Sequence, residues 1–245
     1  MGFPNHRNIY IIGAQCTGKT TLVNALEKYF TTTQPSSNAC PPPVIIREVA
    51  RSVLRTHAFT AADIRSSCDR ALELQTLILH AQVSAERHAL DTAGWFISDR
   101  SGVDSICYAL TYAGEGGASL LLASEEWRDL KKRMAEALVV VCESGADWLH
   151  DDGVRLMPLE LNEWIGLHNA FCNLMNDLGL AFVVLPSNMT DLADRGSMPF
   201  WTRGSAIDVH GVSLVVSYFA DVSQQQAAED GNLNLITSQH PNGFD

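Results

Sequence analysis

The feature that most restricts the fold of this 245-residue chain is a glycine-containing segment that directly follows a short apolar run. The run covers residues 8–12 and is rich in β-branched side chains, which predicts a buried strand. Residues 13–20, GAQCTGKT, match the pattern G-x-x-x-x-G-K-[ST] in full. Apolar residues then recur at helical spacing over residues 20–30. A strand, this pattern and a helix in that order predict a phosphate-binding loop.

The residue types in this segment are those that binding of a nucleoside triphosphate requires. Glycines let backbone N–H groups curl around phosphate oxygens, and the following helix directs its positive end at the anion. Lys19 is predicted to reach the β- and γ-phosphates as a catalytic charge, and the Thr20 hydroxyl to coordinate Mg²⁺. We therefore expect ATP and Mg²⁺ as ligands. The predicted nucleotide-binding residues are Gly13, Ala14, Gln15, Cys16, Thr17, Gly18, Lys19, Thr20 and Thr21.

Strands and helices alternate along the rest of the sequence. Further short apolar runs predict strands at residues 44–46, 95–98, 138–142 and 181–185. Helical spacing returns between them, and a capping-box pattern at residues 60–63 predicts one long helix towards Leu90. This alternation indicates an α/β fold of the P-loop NTPase or kinase-like type, with a parallel sheet flanked by helices and a lid segment.

The domain organisation is predicted from a change in composition near residue 196. Residues 1–196 carry the five strands predicted above and form the expected P-loop nucleotide-binding domain, while residues 209–219 are compatible with one more strand or helix. Residues 197–245 have one basic residue against five acidic ones and a Ser-Gln-Gln-Gln run. We expect this part to be an atypical, partly disordered C-terminal extension.

Charge and cysteine usage exclude several classes of function. The formal net charge is −11, which argues against nucleic acid as a partner because a phosphate backbone needs a basic surface. Apolar runs are too short to span a bilayer, and the first ten residues do not resemble a signal peptide. The six cysteines form no C-x-x-C pair, so we expect free thiols in a reducing compartment. The predicted location is the cytoplasm.

Asp99 is placed at the carboxyl end of the third predicted strand, where ligands of such sheets bind. It is the candidate to hold Mg²⁺, directly or through water. The next residue is Arg100 rather than the glutamate that hydrolysing ATPases use to activate water, and no N-K-x-D guanine-binding motif is present. An Asp-Arg pair at this position favours a small-molecule or nucleotide kinase over a motor ATPase or a GTPase.

Further charged residues are candidates for the acceptor side of the site. Glu48 ends the second strand at the same edge of the sheet, so its carboxylate could bind a substrate hydroxyl or act as a general base. Arg51 follows one helical turn later. Arg155 lies between the fourth strand and the next helix, where kinases of this class have a lid. A lid arginine can close over the γ-phosphate and offset the charge that develops during transfer.

Four segments in this order resemble the NadR-type AAA domain family. They are residues 12–22, 47–51, 99–101 and 151–155, and the resemblance spans residues 8–195. It implies a P-loop fold similar to the kinase half of bacterial NadR, which phosphorylates nicotinamide riboside with ATP. It also implies these roles: Lys19 and Thr20 for ATP and Mg²⁺; Asp99 for Mg²⁺ or the attacking hydroxyl; Arg155 for the lid; Glu48, Arg51 and Arg100 for the acceptor.

Two functions stay open on the sequence. The first is transfer of the ATP γ-phosphate to a small hydroxyl-bearing acceptor such as a nucleoside. The second is a nucleotide-dependent regulatory switch or weak ATPase that acts through a protein or lipid partner, because some eukaryotic relatives in the family are described as nucleotide- and lipid-binding regulators. Acceptor-stimulated turnover separates the two.

Overall fold

The computed structural model describes residues 8–32, 42–144 and 161–187, which all belong to one compact unit. The predictions for Arg155, for the lid segment around it and for residues 197–245 lie outside the described residues. The division into domains therefore stays a prediction.

A five-stranded parallel sheet forms the centre of the described residues, in the order β2-β3-β1-β4-β5. The strands are β1 (Ile9–Ile12), β2 (Val44–Ile46), β3 (Phe96–Asp99), β4 (Leu138–Cys142) and β5 (Val183–Leu185). After β1 the chain crosses to β2 at the edge of the sheet, returns to β3 beside β1, and then continues to β4 and β5 on the other side of β1, so the strand order reverses next to the loop that follows β1. Ligands of parallel sheets bind at such a switch point. The predicted P-loop kinase-like fold is confirmed.

Helices cover the sheet and account for most of the described residues. They are α1 (Lys19–Thr32), α2 (Val49–Thr56), α3 (Ala61–Ser66), α4 (Cys68–Ala93), α5 (Gly102–Tyr112), α6 (Gly114–Ala123), α7 (Glu125–Ala135) and α8 (Leu161–Asp177). None of these described helices is both long and apolar enough to cross a membrane. The five cysteines within the described ranges are free thiols.

The single long helix predicted from residue 61 to Leu90 is wrong, because the structure divides it into α3 and α4. The capping box at Thr60 and Asp63 is present and starts α3. Ser67 then adopts an extended backbone, and its side chain accepts a hydrogen bond from the Arg70 N–H, which starts α4. Serine is a favoured helix-capping residue, and here it interrupts a run whose apolar spacing alone suggests one helix.

Two apolar clusters of described residues pack the helices against the sheet and against one another. The larger one joins alternate residues of β1 and β4, among them Ile12 and Val141, to buried side chains of α5, α7 and α8. The smaller cluster packs α2, α3 and α4 against one another. Its residues are Val53, Phe59, Ile64, Ala71, Leu74 and Ile78. Burying a large aliphatic or aromatic side chain contributes about 2 kcal/mol, so this cluster fixes the three helices beside the sheet.

A buried polar network fixes α4 and α7 to the sheet. Glu86 of α4 is fully buried and accepts hydrogen bonds from Tyr10 Oη, Gln82 Nε2 and Arg133 Nε, each at 2.8 Å. Gln82 also donates to Ser98 Oγ of β3 at 3.0 Å. Burial raises the pKa of Glu86, and the three donors partly oppose that shift. The network sets the position of β3 immediately before Asp99.

Gly13 begins the phosphate loop at a point where a side chain does not fit. Its φ is +129°, in the region that favours glycine. A Cβ atom there would lie 2.7 Å from the Cys142 carbonyl oxygen of β4. Gly18, at the other end of the loop, also has a positive φ of +81°, but a Cβ atom there would meet nothing within 4 Å.

We predict that Gly13→Ala lowers the free energy of unfolding by about 3 kcal/mol, because it adds a backbone clash to conformational strain. Gly18→Ala adds the strain alone and should lower it by about 1 kcal/mol. Urea unfolding of the two variants beside the parent measures both values. Equal losses in the two variants would contradict the close approach to β4.

Candidate functional site

The loop between β1 and α1 has the curled backbone that its sequence pattern predicts. Positive φ angles at Gly13, Cys16 and Gly18 alternate with ordinary ones, which makes the concave backbone that binds anions. Thr17 Oγ1 donates to the carbonyl oxygen of Ala14 at 2.9 Å and stabilises the turn. Cys16 is left-handed although it carries a side chain, which the sequence pattern does not foretell.

Lys19 lies within this loop and is buried. Its ammonium donates to Thr17 Oγ1 at 3.2 Å and to the carbonyl oxygen of Ala14. Burial lowers the pKa of Lys19 to about 8, and the positive charge of Arg100 contributes to this shift. The lysine is thus a cation held against the loop that is predicted to bind phosphate.

Thr20 and Asp99 form the candidate magnesium site. Thr20 Oγ1 donates to Asp99 Oδ2 at 2.6 Å, and Asp99 is 1% exposed. The other carboxylate oxygen, Asp99 Oδ1, is buried and has no hydrogen-bond partner among the described residues. Such an oxygen fits a cation. Mg²⁺ takes few protein ligands and completes its shell with water and phosphate, so a hydroxyl and a carboxylate suit it.

Within the described ranges, no group of three or more histidine, cysteine or acidic side chains could hold a metal ion. The donor set therefore fits an ion that a substrate phosphate helps to hold.

The charged residues predicted for the acceptor do lie together. Arg100 Nε donates to Glu48 Oε1 at 2.8 Å, and Arg51 Nε donates to Glu48 Oε2 at 2.8 Å. Arg100 Nη1 also donates to Asp104 Oδ1 at 3.3 Å. The parallel pairing of β2 with β3 explains this arrangement, because Glu48 and Arg100 follow the ends of neighbouring strands.

The electrostatics of Glu48 distinguish between its two predicted roles. Burial alone would raise the pKa of this carboxyl, but the charges of Arg100 and Arg51 outweigh burial and lower it to about 2. A general base works best with a pKa near the operating pH. Glu48 is therefore suited to accept a hydrogen bond from a substrate hydroxyl and poorly suited to remove its proton.

Arg100 has a strained backbone. Its φ is +87°, a left-handed conformation that costs a non-glycine residue about 1–2 kcal/mol. The Arg100 N–H donates to the Ile11 carbonyl oxygen at 2.9 Å, which holds the residue against β1. Strain of this kind persists where the surroundings enforce it and is concentrated at functional sites. Here it directs the guanidinium towards Glu48 and Asp104.

Three contacts that the sequence did not indicate connect the phosphate loop and Arg100 to the helices. Tyr108 Oη donates to Gln15 Oε1 at 2.6 Å, and Trp164 Nε1 donates to the Gln15 carbonyl oxygen at 2.8 Å. The Arg100 guanidinium also lies over the Tyr108 ring, 5.7 Å from its centroid. Tyr108 and Trp164 occupy apolar positions of their helices. Their spacing therefore predicts a core role and does not predict the hydrogen bonds that their polar atoms form.

A pocket opens beside these groups. Its polar lining includes Gln15, Glu48, Arg51 and Arg100. The smaller apolar cluster supplies part of the apolar wall, through Phe59, Ile64, Leu74 and Ile78. Thr21, which the sequence assigned to nucleotide binding, is exposed on the first turn of α1. Arg155 lies outside the described residues, so its predicted place over the γ-phosphate is untested.

The chain belongs to the AAA domain family, which matches residues 8–195. A crystal structure of a NadR protein in complex with NR aligns with a TM-score of 0.57 and 18% identity, over 89% of this chain and 52% of that one. The chain thus spans about half the length of that protein. The predicted resemblance to the NadR-type family is confirmed. A search of curated proteins found no significant match.

Two kinase structures align with lower TM-scores. One is thymidylate kinase from Ehrlichia chaffeensis, with a TM-score of 0.48, 14% identity, and coverage of 89% of this chain and 99% of that chain. The other is shikimate kinase from Acinetobacter baumannii in complex with shikimate, with a TM-score of 0.42, 12% identity and 98% coverage of both chains.

We predict that Glu48→Gln lowers the free energy of unfolding by about 3 kcal/mol at neutral pH, because it leaves the buried Arg100 charge with one carboxylate fewer. The pKa of Glu48 falls from 4.5 to about 2 on folding, so the ionised carboxylate stabilises the fold fully above pH 4.5. That contribution is lost as the pH falls from 4.5 towards 2. Urea unfolding of parent and variant between pH 7 and pH 3 measures the difference.

The matched control is Glu27→Gln, whose carboxylate pairs with Arg47 at the surface. Exposed pairs contribute little, so this variant should lose less than about 1 kcal/mol. A Glu48→Gln loss no larger than that of the control would show that the Glu48–Arg100 pair does not hold the pocket together.

Proposed function

We propose that this protein binds ATP with Mg²⁺ and transfers the γ-phosphate to a hydroxyl group of a small acceptor such as a nucleoside. The observation that carries the proposal is the pocket beside the phosphate loop, because its polar lining contains a fixed, ionised Glu48 next to Arg100. A protein that only binds a nucleotide has no need of a second, shaped cavity with oriented charges at this edge of the sheet.

The phosphate side of the reaction depends on position and charge. Backbone N–H groups of residues 13–19 would bind the phosphate oxygens, and Lys19 would neutralise their charge. Thr20 and Asp99 would hold Mg²⁺, which when bound neutralises charge on the β- and γ-phosphates. Phosphoryl transfer asks little covalent chemistry of the protein, so these groups suffice on this side.

The acceptor side depends on orientation. Glu48 would accept a hydrogen bond from the acceptor hydroxyl and aim its oxygen at the γ-phosphate. The arginine donors at 2.8 Å on each Glu48 oxygen limit the freedom of this carboxylate, which favours a reactive geometry. In a loose transition state the hydroxyl loses its proton late, to an oxygen of the transferred phosphoryl group and then to solvent as ADP leaves, so the low pKa of Glu48 is compatible with the reaction.

The groups around Asp99 support transfer over hydrolysis. Hydrolysing ATPases usually have a glutamate after this aspartate to activate water, and here that residue is an arginine bound to Glu48 and Asp104. Apolar side chains from α3 and α4 form much of the pocket wall, and a bound acceptor would displace water from it.

The test is ADP formation from ATP and Mg²⁺ by the full chain, with and without a panel of nucleosides that includes nicotinamide riboside. We expect one acceptor to stimulate ADP formation. The Lys19→Ala variant is the blank and should form no ADP, because its loop has lost the cation that neutralises the phosphate charge. Slow ADP release that no acceptor changes would contradict the proposal. That result would favour a regulatory switch or weak ATPase that acts through a protein or lipid partner.

Arg155 has its own prediction as the lid arginine. Arg155→Ala should leave ATP affinity nearly unchanged and lower turnover at least about tenfold, because the charge that develops in transfer would lose its counterion. ATP affinity comes from calorimetry and turnover from ADP formation. Arg128→Ala, at an exposed position on α7, is the control and should match the parent. Equal turnover in Arg155→Ala and the parent would remove Arg155 from the mechanism.

A further inference from the structure

The carbonyl oxygen of Gln15, in the phosphate loop, is bound by a helix far along the chain. Trp164 Nε1 of α8 donates a hydrogen bond to it at 2.8 Å. Gln15 is 3% exposed and Trp164 is 2% exposed, so the bond is shielded from water. Tyr108 Oη of α5 donates to the Gln15 side chain at 2.6 Å. Two helices thus hold one residue of the loop, one by its backbone and the other by its side chain.

The indole ring that donates this hydrogen bond is itself fixed by packing. Trp164, Leu167 and Phe171 recur at helical spacing on the buried face of α8 and belong to the larger apolar cluster. The Phe171 ring also packs edge-on against the Tyr108 ring, with centroids 6.4 Å apart. Close-packed interiors hold side chains in well-defined rotamers. The donor therefore has a fixed position, and the Gln15 carbonyl has to face it.

The contact with Trp164 also sets the direction of the next N–H group in the loop. The peptide bond between Gln15 and Cys16 is trans, so its planar unit directs the carbonyl oxygen and the N–H oppositely. With the Gln15 oxygen bound to Trp164, the Cys16 N–H is directed away from α8. Gln15 and Cys16 form a turn in which the φ of Cys16 is +57°. Backbone N–H groups in such left-handed turns converge on an anion.

Cys16 needs a restraint of this kind because it carries a side chain. A left-handed backbone is unfavourable for a residue other than glycine and persists where the surroundings enforce it. If the strain relaxed, the peptide between Gln15 and Cys16 would rotate and turn its N–H away from the anion. The same rotation would break the bond to Trp164 and leave a buried carbonyl oxygen unpaired, which opposes it. The loop is thus held in its anion-binding conformation before a nucleotide arrives.

We propose that Trp164 is a positioning residue of the phosphate loop, which holds the Gln15 carbonyl so that the Cys16 N–H faces the phosphates of the nucleotide. This inference rests on the proposed function, because it concerns the nucleotide side of that same site. Trp164 acts through the loop backbone and does not itself contact the nucleotide.

The first experiment makes one substitution at two buried tryptophans of the full chain. Trp164→Phe keeps an aromatic ring on α8 and removes the N–H donor. Trp127→Phe makes the same change on α7, in the same apolar cluster, and is the matched control. Calorimetry with ADP and Mg²⁺ should show binding at least about tenfold weaker in Trp164→Phe, because the phosphates lose a donor that is already oriented. The control should stay within about twofold of the parent.

The second experiment determines whether Trp164 acts through the backbone of Cys16. Glycine adopts a positive φ without strain, so Cys16→Gly should make the loop less dependent on Trp164. In the Cys16→Gly background, we expect Trp164→Phe to weaken ADP binding by no more than about threefold, against at least about tenfold in the parent background. An equal loss in both backgrounds would mean that Trp164 contributes packing alone, and would overturn the proposal.

A synthetic side chain keeps the test decisive if Trp164→Phe does not fold. 3-Benzothienylalanine in place of Trp164 keeps the bicyclic shape and replaces the N–H with sulfur, which donates no hydrogen bond. We expect it to fold like the parent, to lose the same ADP affinity, and to regain most of it with Cys16→Gly. An ADP affinity equal to that of the parent would overturn the proposal.

The outcomes separate this inference from the proposed function. If the parent binds ADP and Trp164→Phe keeps the full affinity, the inference is overturned and phosphoryl transfer stands. The expected loss and its rescue by Cys16→Gly, without acceptor-stimulated ADP formation, support Trp164 as a positioning residue and contradict phosphoryl transfer. A parent that binds no ADP overturns both.

Discussion

The parallel pairing of β3 with its neighbours β1 and β2 is the interaction on which the rest of the site depends. It places Ile11 opposite Asp99, so the phosphate loop that leaves β1 lies beside the carboxylate that ends β3. The Arg100 N–H extends this pairing by one residue through Ile11, and β2 brings Glu48 to the same edge. Three strand ends thus supply the loop, the candidate metal ligand and the fixed ion pair, and none of these groups functions if the strands shift in register.

The sequence predicted this edge well because its signals are local or follow from fold geometry. The pattern in residues 13–20 requires a particular loop, and the alternation of strands and helices requires parallel strands whose carboxyl ends meet. From these two facts the convergence of Lys19, Thr20, Asp99, Glu48 and Arg100 follows without coordinates. The distances and the low pKa of Glu48 further indicate that its carboxylate is suited to accept a hydrogen bond and not to remove a proton.

The acceptor wall could not be predicted, because its important features are properties of packing. Apolar spacing continues through Ser67, so nothing periodic marks the break that lets α3 and α4 form separate sides of the pocket. A glutamine at position 75 resembles the border of an amphipathic helix until the surrounding side chains show that it is buried and lines the pocket. Tyr108 and Trp164 likewise occupy core positions, and only the folded chain shows their contacts with Gln15.

The left-handed backbone of Arg100 also bears on how this chain can be engineered. Glycine would relieve about 1–2 kcal/mol of strain at that position, and asparagine would reduce it. Either replacement would remove the guanidinium that neutralises Glu48 and Asp104. Leaving these two buried carboxylates without their partner costs about 3–5 kcal/mol, more than the strain that is relieved, so a library screened only for survival on heating would retain the arginine and with it the charge arrangement of the pocket.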